Sequence, residues 1–105
     1  MLNHLISMMF EEDCLTKIEG QRGFFQILLA LNEESELLQS QLYNNKPLLS
    51  ISNNATALRA INLLVKYNLI TVKKKRESNG KYYVITDKGR KCAELFMQLH
   101  ELIQH

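Results

Sequence analysis

Along this chain apolar residues recur mostly at three- and four-residue spacing, the period of an amphipathic helix; in one region they gather into two short β-like runs. Leu2, Leu5, Ile6, Met9 and Phe10 predict a helix ending near Asp13. Residues 14–21 fit either a further helical turn or a connector. Phe24, Ile27, Leu28 and Leu31 form one stripe, widened by Phe25 and Leu29, so a helix over 23–32 is expected as the central beam of the core. Glu33-Glu34-Ser35 interrupts the pattern. A shorter helix is expected over 36–43, burying Leu38, Leu42 and Tyr43. Asn44 to Pro47 should end it, because asparagine tolerates a left-handed cap and proline disfavours helix just before itself. Residues 48–51 should be extended or loop.

The next helix is expected over about 53–67, with Ser52 or Asn53 as N-cap. At roughly 100° per residue, Ala57, Leu58, Ile61, Leu64 and Val65 fall on its inner side. Ala55, Thr56, Arg59, Asn62, Leu63 and Lys66 fall on the outer side, where Leu63 is the misfit that should meet the hairpin or a partner. Asn68 is placed to stop the helix in a left-handed conformation. A β-hairpin is then expected, from Thr71 to Glu77 and back from Lys81 to Thr86, around an Asn79-Gly80 turn whose residues both accept positive φ. Ile70, Val72, Tyr82 or Tyr83, Val84 and Ile85 would anchor its base. Lys73, Lys74, Lys75, Arg76 and Lys81 crowd its far end. Thr86 should cap a last helix over 87–105, whose stripe is Cys92, Leu95, Phe96, Leu99, Leu102 and Ile103.

These 105 residues suit one domain with a modest core, 46 % hydrophobic and 23 % charged. The longest apolar run is well short of the roughly 20 residues a membrane span needs. The first residues lack a basic leader, so no signal peptide is expected and a cytoplasmic protein is. The net charge of +2 conceals an asymmetry: residues 1–50 carry −4 and residues 51–105 carry +6. Between Lys66 and Lys91 nine cations face only Glu77 and Asp87, and no acid occurs from Ser50 to Arg76. Such placement favours a nucleic-acid partner. A hairpin made basic only for solubility and edge protection is the plainer alternative.

No other chemistry is legible. Cys14 and Cys92 match no zinc spacing, and Cys92 falls on an apolar stripe as a small buried hydrophobe. The acids before Cys14 disfavour its thiolate, which leaves redox sensing weakly supported. His4, His100 and His105 form no metal or catalytic spacing. With no phosphate loop, carboxylate pair or nucleophile beside a base, no enzyme, cofactor or metal is expected.

Short polar side chains and arginine on a helix suit the major groove of B-form DNA. Asn54, Ala55, Thr56, Arg59, Asn62 and Lys66 are therefore candidates for reading double-stranded DNA: Arg59 toward guanine, Asn62 or Asn54 toward adenine, and Ala55 and Ala60 permitting close approach. Lys73, Lys74, Lys75, Arg76 and Lys81 suit the phosphate backbone or minor groove. If roughly five phosphates are neutralised per half-site, the log–log salt slope is about −4 to −5. The apolar stripes of the two terminal helices exceed what a small monomer needs. A two-fold homodimer is expected through Leu2, Leu5, Met9, Leu95, Phe96, Leu99, Leu102 and Ile103, spacing two reading helices about 34 Å apart.

Three segments carry a resemblance: residues 20–31 (GQRGFFQILLAL), residues 64–70 (LVKYNLI) and residues 83–90 (YVITDKGR). Over residues 22–91 their order resembles the winged helix-turn-helix repressors of the MarR/HxlR/PadR superfamily, in the compact form of small archaeal and phage-type regulators. Thr86-Asp87-Lys88-Gly89-Arg90 after a β-run is the most specific part. The resemblance implies a mainly α fold with a β-hairpin wing (an α+β arrangement): an N-terminal helix over 1–13, a winged-helix core over 22–86 and a dimerisation helix over 87–105. It also implies a DNA-binding transcriptional regulator, usually a homodimer, reading bases with Ala55, Thr56 and Arg59 and gripping the backbone with the wing. HxlR-type proteins carry tryptophan where this chain has Gly23, and their sensor cysteine lies further upstream than Cys14. A winged-helix module for protein–protein assembly and an architectural DNA-binding protein are the competing functions.

Overall fold

The fold is built outward from one apolar helix. In the computed structural model, residues 14–44, 54–74 and 80–105 are described. Among them run α1 (Cys14–Glu19), α2 (Phe24–Glu34), β1 (Glu36–Leu38), α3 (Gln39–Asn44), α4 (Asn54–Lys66), β2 (Ile70–Lys74), β3 (Lys81–Ile85) and α5 (Asp87–Gln104). The helix expected over 1–13, the segment 48–51 and the hairpin tip with Lys75 and Arg76 lie outside the described residues.

Helix α2 starts after Gly23, whose φ of 90° is the left-handed region that glycine enters without steric cost. Phe24, Ile27, Leu28 and Leu31 are fully buried along it, and α4 and α5 both pack on this beam. It continues two residues past the expected end. Ser35 stops it with a φ of 68°, its N–H donating to the Leu31 carbonyl at 2.8 Å.

The stop at Ser35 redirects the chain. Apolar spacing alone predicts a helix over 36–43; instead residues 36–38 are a strand, and only Gln39–Asn44 is helical. The Ser35 carbonyl accepts from the Ile85 N–H at 3.1 Å, which delivers the chain alongside β3. β1 then pairs antiparallel with β3, setting Glu36 opposite Val84 and Leu37 opposite Tyr83. The three-stranded order is β1-β3-β2. Strand alternation sends Leu37, not Leu38, into the core. The Leu38 N–H donates to the Gln41 side chain at 2.8 Å, half of a capping box that starts α3.

Helix α4 buries Ala57, Ala60, Ile61 and Leu64, a stripe at i, i+3, i+4 and i+7. Two expectations need correcting here. Leu58 is 42 % exposed, because the stripe is centred one step further round the helix. Ala60 is completely buried, so its small side chain faces the core rather than DNA. In the hairpin, Ile70 faces Ile85 and Val72 faces Tyr83. Tyr83, not Tyr82, is the buried tyrosine, and Val72 stands exposed beyond the edge of the core. Helix α5 runs on from β3 for 18 residues and meets the core at Gly89 and Ala93, with Cys92 partly buried beside them.

Candidate nucleic-acid interface

The outward face of α4 consists of Ala55, Thr56, Arg59, Asn62 and Lys66; Thr56 is half-buried and the others are exposed. Asn54 opens the helix, and its side chain lies outside the described residues. The Arg59 guanidinium donates to the Thr56 hydroxyl at 3.4 Å, which lays the arginine along the helix surface. Lys66 lies over the Tyr67 ring, 5.8 Å from its centre. Leu63 packs against the core, not against the wing, and lines a groove with α1.

Three residues, Tyr67 to Leu69, lead from α4 into the wing. Lys73, Lys74 and Lys81 are exposed there. Lys74 lies directly opposite Lys81 in the ladder, an arrangement of like charges that destabilises a β-pair unless an anion lies close by. Lys73 faces Tyr82.

The end of α4 is completed by atoms from the start of α5. Asn68 takes the left-handed conformation, φ 61°, that its position predicts. The Lys88 ammonium donates to the Tyr67 carbonyl at 2.9 Å, placing a cation at the negative end of the helix. The Thr86 hydroxyl lies 2.7 Å from the Asn68 carbonyl and 3.0 Å from that of Leu69, and it accepts from the Gly89 N–H at 2.9 Å. Gly89 is buried against the Leu69 carbonyl; an added Cβ would strike that oxygen and stand 2.8 Å from Ile85 Cγ1. Arg90 reaches the other way, donating to the Asn32 carbonyl at 3.3 Å and the Ser35 hydroxyl at 2.7 Å, so it caps α2. Sequence pattern marks this five-residue stretch without showing what it ties together.

On the far part of α5, Leu95, Leu99, Leu102 and Ile103 are exposed, the last two by about three-quarters. Phe96 is only half available, because its ring stacks on Phe25 at 3.9 Å. None of the helices among the described residues is long and apolar enough to cross a membrane, and no cluster of three metal-ligating side chains occurs among them.

No family model matches the sequence. The HTH-type transcriptional regulator YvnA of Bacillus subtilis is 38 % identical over 71 residues, which cover 67 % of this chain and 40 % of that protein. A SlyA-like transcription regulator from Listeria monocytogenes superposes with a TM-score of 0.69 at 25 % identity, over 98 % of this chain and 63 % of that one. A second L. monocytogenes protein, assigned to the MarR family and solved in complex with 26mer DNA, gives 0.67 at 25 % identity, over 96 % of this chain and 64 % of that one. The chain thus spans two-fifths of its curated relative and just under two-thirds of these structures. Helices α3 and α4, the β2–β3 wing and the capped step into α5 make up a winged helix-turn-helix fold, and the likeness runs in sequence to an HTH-type transcriptional regulator and in structure to regulators of the SlyA and MarR type.

Proposed function

We propose that this chain acts as a sequence-specific double-stranded DNA-binding transcriptional regulator, a repressor, in the cytoplasm. In this reading α4 enters the major groove, with Asn54, Ala55, Thr56, Arg59 and Asn62 toward the bases and Lys66 toward a phosphate. The wing, through Lys73, Lys74, Lys75, Arg76 and Lys81, tracks the backbone or minor groove. Two copies associate through the exposed face of α5, Leu95, Leu99, Leu102 and Ile103, with Phe96 at its margin and Leu2, Leu5 and Met9 joining it. The chain has no enzymatic role. The observation that carries the proposal is an acid-free helix face joined by three residues to a hairpin whose described cations include a directly opposed lysine pair. The DNA complex of the MarR-family relative supports it.

The test starts from selection of a preferred duplex out of a random pool by the purified protein. Arg59→Ala is expected to erase preference for the selected sequence while nonspecific binding persists. Lys73→Gln, Lys74→Gln and Lys81→Gln together are expected to weaken all duplexes alike and flatten the salt dependence. A regulator shows a specific-to-nonspecific ratio of roughly 10³ or more. A ratio near one would identify an architectural protein, and no duplex binding at all would favour a protein-binding module.

A further inference from the structure

Beside the reading face, α1 and the connector after it form one wall of a groove of about 450 Å³, and α4 forms the other. Lys17, Gly20 and Gln21 line the first wall; Arg59, Asn62 and Lys66 line the second. The walls are tied together: the Gln21 side-chain amide donates to the Thr56 carbonyl at 3.4 Å and to the Arg22 carbonyl at 3.1 Å. Three cations from two separate elements therefore border one open groove. Lys17 and Lys66 stand on opposite walls of it. Side-chain hydrogen bonding with Lys17, then the like-charge repulsion between the two, then desolvation hold the Lys66 pKa below the usual lysine value. Among the described residues no carboxylate enters that balance. Two lysine ammonium groups on the facing walls of one open groove are in want of an anion between them.

We infer that Lys17 and Lys66 clamp a single DNA phosphodiester from two sides, with Arg59 at the groove's edge, so that α1 is a third DNA-contacting element beside α4 and the wing. The inference rests on the proposed DNA-binding function. Lys66 is a candidate from its helix face alone. Lys17 is not, because it lies in the acidic half of the chain, and only the fold brings it to the reading helix. A phosphate shared by two lysines would place α4 against the backbone at one defined point, since phosphate contacts set register while bases set sequence. Placing it next to Arg59 would fix how deep that arginine enters the groove.

The experiment uses the full chain and the duplex it selects, with affinity measured from about 0.05 to 0.2 M salt. Lys17→Gln and Lys66→Gln are each expected to weaken all duplexes alike and to lower the salt slope by up to about 1. The double variant is expected to lose about 1 in total rather than 2, because one phosphate is shared. Lys17→Arg should behave as wild type. One methylphosphonate at the clamped position should make wild type and the double variant bind equally. If the wing variant flattens the slope while Lys17→Gln leaves it unchanged, the clamp is overturned and the DNA-binding reading stands. A loss of about 2 in the double variant would mean two separate phosphates and would also overturn it. Absence of any duplex binding by wild type would remove both the clamp and the function it rests on.

Discussion

Gly89 has no space for a side chain, and the reason is the carbonyl of Leu69 rather than its own backbone angles. An alanine there must push apart the end of α4 and the start of α5, and backbone yields less easily than a flexible side chain. Gly89→Ala is expected to cost about 3 kcal/mol, the upper range for overpacking, read as a lower urea midpoint with unchanged m-value. Thr86→Ala should cost about 1–2 kcal/mol through loss of a cap that serves two helices, and Thr86→Ser should restore most of it. These positions show where reading residues by type succeeds. Thr86 as a cap and Asn68 as a left-handed stop emerge from their own chemistry, which acts locally. The packing of Gly89 and the bond from Lys88 to Tyr67 depend on a segment about twenty residues away, and no local rule contains it.

The element most altered by context is β1. Its residues, Glu36-Leu37-Leu38, have no strong strand signature and come after a helical stretch, so periodicity alone extends helix through them. What makes them a strand is the reversal at Ser35 and the open edge of β3, which satisfies their backbone groups. The outcome is a distinction between adjacent leucines. Leu37→Ala is expected to destabilise by about 2–4 kcal/mol, because a buried position opposite Tyr83 is emptied. Leu38→Ala should cost under about 1.5 kcal/mol. Comparable losses at both positions, measured by denaturant unfolding, would show that the segment is helical in solution after all. Helices α2 and α4 are legible because each buries a stripe that repeats over several turns, and α5 because its apolar spacing repeats just as regularly although only its first two turns are buried. On α4 the pattern places the stripe's centre one position off, since alanine is small enough to face either a core or a ligand: Ala60 does the first, while Ala55 is exposed.

At the level of the molecule, α5 leaves four large aliphatic side chains exposed on a helix whose first two turns are anchored in the core. Such a surface favours association. A homodimer that buries it should fall to monomer mass in sedimentation on Leu99→Glu with Leu102→Glu, while the circular dichroism of the core persists. A wild-type chain that sediments as a monomer at tens of micromolar would remove the dimer from the proposal. The proposed DNA-binding surface divides by how far apart its parts lie in sequence. Reading face and wing are close in the chain and are visible as one acid-free run; Lys17 stands across the groove from Lys66 only after folding. The shared junction at Thr86, Lys88 and Gly89 has an engineering corollary. Anyone grafting α4 onto another scaffold must transplant that triplet with it, because the carbonyls of the turn that ends the helix, Tyr67 to Leu69, borrow their hydrogen-bond donors from Thr86 and Lys88 on the far side of the hairpin.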